Sequence, residues 1–551
     1  MPSIPQSAAS LIFVLMLSTA GAAVSATVPD DIRALTASTA HAPRANLPYA
    51  DQDWLQRFYA PRSSAPAWLG HRARAQAAVA LLQGAGEHGM APVDYHAESL
   101  AKRLAAPAPG NATPSDAALD VDITSAMLHY LADLRVGRIR SEYHSAAADP
   151  RLKAFDPVEQ LRAALEADKL ADAVARAEPR IPFYKHIKTT LAHYRVLART
   201  PAITLDPMAK GAKIVSGAPY PQAAELRALL QLVGDRPGPA PAGADTVYSP
   251  ELAEAIKRFQ ARHGLLEDGI LGAGTVAALN TPLADRVRQL ELTLERLRWL
   301  PDFADGPVIA VNLPAFRLWA FDRATSVGVP VLEMKVIVGT AVKTQTPLFI
   351  GTMRYLEFNP YWNVPRSIER GEMIPKLASN PRYLAQNNME LVLRSGGGAG
   401  FDQVNAAALD GLRKGTYRVR QKPGPGNALG AVKFAMPNAD DIYLHSTSAR
   451  ELFKRTRRDL SHGCIRVEKP LELAQFVLAS HPAWPAEKVA AAMEPGPTKT
   501  VSLKTQIPVI LFYTTAIADR EGNAIFSPDV YKRDPVLEQA LKAGHTVAPA
   551  R

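Results

Sequence analysis

Apolar residues recur at three- and four-residue spacing through the first 200 positions, most clearly over 72–82 and 121–136, and this period predicts amphipathic helices. From about 46 to 200 there is no strand-like alternation and no internal repeat, so the region reads as an all-helical scaffold. Residues 223–232 and 250–263 are the next helical stretches, the second with Leu252, Ile256 and Phe259 on one face. A loop rich in proline, glycine and alanine (236–243) separates them, and a third helix follows at 275–280. Residues 283–304 read as a helical connector whose apolar side is marked by Leu290, Leu292, Leu294 and Leu297. Beyond Pro307 the texture changes to short runs rich in β-branched and aromatic residues, at 308–312, 316–321, 334–338 and 352–358, which predict strands. Helical and loop segments interrupt them from about 366 to 432, and an insertion of that length in a compact domain often serves as a lid. One more strand, 507–513, precedes what reads as a polar tail. The fold class expected is multidomain α+β: a helical scaffold (46–200), a small helical unit (216–282), a β-rich, sandwich-like domain (305–490) with its lid (about 366–432), and a C-terminal strand and tail (491–551).

The amino terminus differs in kind. Residues 11–17 (LIFVLML) form a short apolar core, followed by small residues and a cleavage-like Val24-Ser25-Ala26, so residues 1–26 read as an export signal, although no Lys or Arg precedes the core. An uncleaved anchor is the competing reading; the strongly apolar part falls short of the roughly 20 residues a spanning helix needs, which favours cleavage. Residues 27–45 read as a disordered leader. At 551 residues the chain is too long for one core. Its net charge of +10 draws it toward carboxylates and phosphates. An export signal argues against nucleic acid as the partner and leaves membrane contact to the signal or anchor segment. The densest basic run is Lys454-Arg455-Thr456-Arg457-Arg458; a solvated face is its default reading, and contact with an acidic ligand is the sharper one. Cys464 is the only cysteine. No disulfide within the chain is possible, and a lone thiol in an oxidising compartment is a liability unless it is used; a small buried hydrophobe is the bland alternative.

What surrounds the thiol decides between them. Tyr443-Leu444-His445-Ser446-Thr447 is followed by Ser461-His462-Gly463-Cys464-Ile465-Arg466-Val467. A thiol at its free pKa of roughly 8.5 is only a few per cent thiolate at neutral pH, and a histidine within hydrogen-bond reach can take its proton. A third group must fix the imidazole, and backbone N–H groups must face the developing oxyanion. His445 ends a strand-like run, and Gly463 lets the chain turn just before Cys464. The residues thus offer a base, a nucleophile and an oxyanion turn, while spacing alone leaves open whether His445 folds back onto Cys464. His445, His462 and Cys464 lack an evident fourth ligand and a zinc spacing, so neither metal nor organic cofactor is expected.

The pattern His…Ser-His-Gly-Cys-Ile-Arg resembles the signature of the L,D-transpeptidase catalytic domain. Matching flanks are Val338-Gly339, Thr346-Pro347, Phe358-Asn359-Pro360-Tyr361-Trp362-Asn363-Val364-Pro365, Pro423-Gly424-Pro425, Asn427-Ala428-Leu429-Gly430, Lys433-Phe434, Pro437-Asn438 and Glu468 with Pro470. The likeness covers about 305 to 520 and points to the large multidomain branch of Gram-negative-type bacteria. Ser446-Thr447-Ser448 departs from the residues usual after that histidine. Upstream, Phe259-Gln260, Gly264-Leu265, Asp268-Gly269, Gly272, Thr275 and Leu279 resemble the small three-helix peptidoglycan-binding domain.

The resemblance implies that Cys464 is the nucleophile and His445 the proton donor and acceptor, with Ser461, His462 and Gly463 shaping the oxyanion site. It implies that Arg466 holds the site or a substrate carboxylate. Trp362 and Tyr443 are either core or substrate-stacking residues. The implied activity is acyl transfer in the periplasm: a tetrapeptide stem of peptidoglycan acylates Cys464 with loss of D-Ala, then passes to the side-chain amine of another stem's diaminopimelate. Penem and carbapenem β-lactams would acylate the same thiol, and other wall-synthesis enzymes are conceivable partners. Hydrolysis, or attachment of a lipoprotein to the wall, would use the same acyl-enzyme. A wall-binding protein without catalysis is the alternative of a different class.

Overall fold

The computed structural model describes residues 27–37, 51–106, 114–139, 143, 150–239, 244–303, 305–323, 330–396, 399–519 and 522–543. The expected signal segment lies outside them. Residues 28–37, read above as disordered, form the helix Val28–Ala37, whose Ile32 and Thr36 are buried. Three turns with apolar residues on one side can pack on neighbouring helices even where polar residues dominate the sequence.

The scaffold is helical as expected. Its longest member, Pro114–Val136, is surrounded by helices at 28–37, 51–59, 72–83 and 150–177. Among the described residues no helix is long and apolar enough to cross a membrane. Buried Asp120 fixes the turn after the second of these helices: its carboxylate accepts from the amides of Ala67 (2.9 Å), Trp68 (2.7 Å) and Leu69 (3.0 Å) and from the Tyr59 hydroxyl (2.6 Å). A buried carboxylate is tolerated because its acceptor sites are filled.

The small unit has three helices, Ala223–Leu232, Pro250–Arg262 and Ala273–Leu279, and a two-residue ladder of β1 (Lys213–Ile214) with β2 (Leu271–Gly272). Its motif residues act as a clamp. Buried Gln260 donates to Asp268 (3.1 Å), to the Ile270 carbonyl (3.0 Å) and to Thr275 (3.2 Å), and accepts from the Gly269 amide (2.9 Å). Gly269 has φ +67, and a Cβ there would stand 3.0 Å from the Ala253 carbonyl, so only glycine fits the turn.

In the β-rich domain the strands are β3 (Val308–Asn312), β4 (Arg317–Phe321), β5 (Leu332–Gly339) and β6 (Phe349–Phe358), then β7 (Trp362–Asn363), β8 (Met389–Leu393) and β9 (Tyr417–Gln421) in the insertion, then β10 (Val432–Ala435), β11 (Leu444–His445), β12 (Asp459–Ser461), β13 (Ile465–Val467) and β14 (Lys499–Phe512). The main sheet runs β12-β5-β13-β11-β10-β6-β14-β3-β4, and β4 also pairs with β5. The sheet therefore curls until its ends meet and encloses one core, like a sandwich whose hydrogen bonding continues around the edges.

Strands β3 and β4 and the end of β14 are apolar on both faces for a reason periodicity alone does not reveal. Ile309, Val311, Leu318, Ala320, Val509 and Leu511 face the domain's own core. Their neighbours Val308, Ala310, Trp319, Phe321, Ile510 and Phe512 belong to the scaffold's core. Scaffold and sheet are thus welded, and burial on both faces gives strands a continuous apolar run. The weld includes the Leu283–Arg298 helix: Leu290, Leu294 and Leu297 join the scaffold core, and Leu292 joins Ile139, Trp299, Leu537 and Ala540 on the other side. Glu295 and Arg298 are buried in it, 2.7 Å apart.

The segment after 513, expected as a polar tail, instead holds a hairpin of β15 (Ala516–Ala518) with β16 (Ala524–Phe526) and the helix Arg533–Ala543. Leu537 and Ala540 bury against the connector helix, three residues apart on one face. The insertion is likewise a folded subdomain rather than loops. Strands β7-β9-β8 form a sheet, and Val364, Ile368, Met373, Leu377, Leu384, Met389, Leu391 and Val419 give it its own core.

Candidate active site

Strands β11 and β13 run parallel, with Leu444 opposite Ile465 and His445 opposite Arg466. Leu444 and Ile465 lie in the domain core. Because side chains alternate across a strand, Tyr443, His445, Cys464 and Arg466 share the other face, and His445 and Cys464 are diagonal neighbours on adjacent strands. On β10, Lys433 lies opposite His445 and holds its ammonium 4.8 Å from the centre of the Tyr443 ring, while pairing with Glu357 at 3.1 Å.

The loop before Cys464 is tied down at each residue. The Ser461 hydroxyl donates to the Cys464 carbonyl (2.6 Å) and accepts from the Gly463 amide (3.1 Å). Thr344 Oγ1 donates to the Ser461 carbonyl (3.0 Å), and Thr346 Oγ1 to the Gly463 carbonyl (2.7 Å). Gly463 itself has φ +120, a conformation side chains avoid. The threonine segment folds this close because Gly339 has no side chain: a Cβ there would be 1.9 Å from the Thr344 carbonyl. Tyr531, beyond the expected end of the domain, donates to the Gly339 carbonyl (2.7 Å) and completes the brace.

His445 is buried, and its Nδ1 faces the carbonyl of Ser446 at 2.6 Å. A carbonyl only accepts, so Nδ1 carries the proton and Nε2 is left as the basic nitrogen of the neutral ring. Gly430 makes this possible. It has φ +62, and a Cβ there would meet the Ser446 side chain at 2.6–2.7 Å. The group that orients the imidazole is therefore a main-chain atom, which explains how Ser446 can differ from the usual residue without loss of the contact.

Burial pushes the His445 pKa down to about 3, with the positive charges of Arg466 and Lys433 adding to it. Burial likewise pushes the Cys464 thiol up. The thiol is half-buried and donates to the Asp441 carbonyl at 3.6 Å. It also neighbours the Tyr443 hydroxyl, which in turn lies near Trp362 of the insertion. Both shifts favour the uncharged thiol and the neutral ring at rest. Arg466 is half-buried, feels both Cys464 and His445, and has a buried Nε without a protein acceptor.

Of the residues singled out from sequence, Cys464, His445, Tyr443, Arg466 and Trp362 come together, and Ser461 and Gly463 shape the loop. His462 points elsewhere: its Nε2 pairs with Glu372 of the insertion at 2.7 Å, half exposed. Gly463's amide is engaged by Ser461, which leaves the amide of Cys464 as the candidate oxyanion donor on this turn. Sequence reasoning missed Ser446, Thr344, Glu372 and Tyr531. Backbone acceptors leave no residue signature, and the others act across long sequence separations.

Comparison with known proteins finds matches along three stretches of the chain. Residues 306–509 match the family described as L,D-transpeptidase catalytic domain, 220–279 the family described as "Putative peptidoglycan binding domain", and 53–191 the scaffold domain. A Haemophilus influenzae protein named "Putative L,D-transpeptidase" is 34% identical over 253 residues, 46% of this chain and 49% of that protein. The N-acetylmuramoyl-L-alanine amidase CwlL of Bacillus licheniformis is 41% identical over 70 residues, 13% of this chain and 19% of its own. The chain spans half or less of the length of these relatives. It carries an L,D-transpeptidase catalytic domain, a peptidoglycan-binding domain and a scaffold domain.

Proposed function

We propose that this chain, with its L,D-transpeptidase catalytic domain, cross-links peptidoglycan outside the cytoplasm, in the periplasm, through a thioester on Cys464. What supports the reading is the shared face of β11 and β13: a thiol diagonal to an imidazole whose Nδ1 is committed to the Ser446 carbonyl, which leaves Nε2 as the basic nitrogen. Donor substrate brings the thiol from the Asp441 carbonyl toward His445. Nε2 takes the thiol proton as sulfur attacks the carbonyl carbon of the diaminopimelate residue, and the Cys464 amide faces the developing oxyanion. The C–N bond to terminal D-Ala breaks, and the imidazolium gives its proton to the leaving amine. An acceptor amine then loses a proton to the same Nε2, attacks the thioester and frees the thiol. Arg466 supplies positive charge for a stem carboxylate, and Tyr443 and Trp362 line the approach. The insertion, joined to the loop through Glu372 and His462, excludes water and favours amine over hydrolysis. No step calls for a metal or organic cofactor.

The test is incubation with disaccharide-tetrapeptide, followed by mass spectrometry of the muropeptides. Wild type releases D-Ala and forms dimers; Cys464→Ala does neither. Dimers from Cys464→Ala would overturn the mechanism. Sacculus binding without turnover in either protein would favour a wall-binding role.

A further inference from the structure

The basic run of residues 454–458 is absorbed by nothing in this mechanism. It lines a cleft of about 490 Å³ whose opposite wall is the peptidoglycan-binding domain, at Ala261 and residues 264–267. We propose that this cleft is a second binding site, for the carboxylate-bearing peptide of a wall strand, apart from the groove at Cys464; the proposal rests on the reading of the chain as a wall transpeptidase.

The charge around the cleft is unbalanced by construction. Its cations are Arg317, Lys335 and Lys532 together with Lys454, Arg455, Arg457 and Arg458, against the carboxylates Glu267 and Asp529. Asp529 is already engaged by the Tyr513 hydroxyl and by the amides of Arg533 and Asp534. Arg317 pairs with Glu333, and Arg457 with Asp459. For Lys335, Lys454, Arg455, Arg458 and Lys532, no carboxylate lies within ion-pair distance among the described residues.

Two features raise the potential further. Arg317 and Lys335 stand directly opposite each other on β4 and β5, and like charges in that position repel. Arg458 is buried, and its guanidinium donates only to main-chain carbonyls, Val336 (3.2 Å), Arg455 (2.7 Å), Phe316 (3.1 Å) and Thr456 (3.4 Å). Glu468 offsets this buried charge only from beyond ion-pair distance, and a bound anion would relieve the remaining cost.

The rest of the lining chooses among anions. Phe316, Leu265, Pro528 and Val530 add apolar wall, and Leu266 is 57% exposed at the rim. Carboxylates alternating with methyl side chains, as in an alanine- and glutamate-containing stem, match that mixture better than a bare phosphate polymer. The position suits a neighbouring stem. Arg458 precedes Cys464 by six residues, so their Cα atoms are at most about 22 Å apart, and one strand can be held here while another reacts.

The experiment uses the full chain with Lys454→Glu/Arg455→Glu, both exposed, and with Lys532→Glu as an independent variant. Lys185→Glu/Lys504→Glu, exposed and outside the cleft, is the control for net charge. Melting temperature and iodoacetamide labelling of Cys464 verify the fold. Co-sedimentation with purified sacculi is measured across salt concentrations. The cleft variants bind at least about fivefold more weakly with a flatter salt dependence, the control binds like wild type, and sacculi with amidated carboxylates reduce wild type to the level of the variants. Equal losses in the control, undiminished binding by the cleft variants, or tight binding to amidated sacculi would each overturn the proposal, as would a loss seen only with anionic lipid vesicles. Weak cleft variants alongside a wild type that forms no dimers would uphold this site and sink the transpeptidase reading instead.

Discussion

A catalytic thiol next to a histidine is often drawn as a thiolate–imidazolium pair, and the surroundings of Cys464 predict the opposite resting state. Burial lifts the thiol above its ordinary value and lowers His445 to about 3. A free thiol near 8.5 is about 3% ionised at pH 7, so Cys464 is ionised less than that, whereas an ion pair would hold nearly the whole population as thiolate. The two states differ at least about 30-fold in the rate at which iodoacetamide alkylates the protein at pH 7. The perturbation is His445→Gln, which keeps a polar side chain but cannot take a proton. Since His445 carries no charge at rest, the variant's alkylation rate stays within about threefold of wild type, while dimer formation falls by about 10²- to 10⁴-fold, the usual worth of a general base. Intact-mass kinetics from pH 5.5 to 10 provide the readout, and the wild-type rate climbs with pH through the whole range. A wild-type rate that is flat from pH 6 to 9 and collapses in His445→Gln would show a resting ion pair and refute the argument.

Three further outcomes follow from the packing. Gly430→Ala places a methyl against Ser446 in a left-handed conformation; it lowers stability by about 1–3 kcal/mol and lowers dimer formation further than the melting shift accounts for, because it displaces the carbonyl that orients His445. Glu295→Ala strips a buried guanidinium of its partner and the Ile139 amide of its acceptor, and lowers stability by about 3–5 kcal/mol in urea unfolding, against a much smaller loss for Glu295→Leu with Arg298→Met. Buried His88 and His445, both held at about 3, and His263, held well below its usual value, fold as neutral rings. A histidine whose pKa falls on folding contributes stability that is complete above about 6.5 and lost as pH drops toward the folded value, so the unfolding free energy from urea titrations falls between pH 6.5 and 3, by roughly 1–1.5 kcal/mol for each of His88 and His445 at pH 5.5; an unfolding free energy unchanged over that window contradicts their burial as neutral rings.

What the sequence made legible divides along physical lines. Helices 223–232 and 72–83 and strand 352–358 were readable because each buries one local pattern. The double-faced burial of β3, β4 and β14 was not, since the second face is covered by helices more than 100 residues away. The terminal helix Arg533–Ala543 hid because only Leu537 and Ala540 bury, in a short stretch interrupted by charged residues. At the site, motif residues announced themselves by type: Cys464, His445 and Gly463 are unusual choices that chemistry explains. Their supports did not. The Ser446 carbonyl would be supplied by any residue at that position, and Thr344 and Tyr531 are ordinary residues made important by where the chain returns.

That division bears on why the catalytic domain comes with so much else attached. A loop that must hold Gly463 at φ +120 gives up the conformational freedom glycine otherwise has, and it stays in place only where its surroundings hold it. Here the surroundings include Thr344 and Thr346 from the β5–β6 turn, Tyr531 from the C-terminal segment, and, behind that segment, the Arg533–Ala543 helix seated on the connector helix that the scaffold buries. Tyr531 is linked onward through Tyr513, whose hydroxyl accepts the Tyr531 amide at 2.9 Å and donates to Asp529. The chain of contacts from scaffold to the Cys464 loop is thus continuous through packed, buried groups, and it gives the helical domain a mechanical reason to exist even though, among the described residues, it places none at the site. On the other side the loop meets the insertion through an exposed pair, His462 with Glu372, of a kind worth under about 1 kcal/mol. A site braced rigidly from behind and closed weakly from the front can admit a bulky polymer without losing the geometry of its reacting atoms.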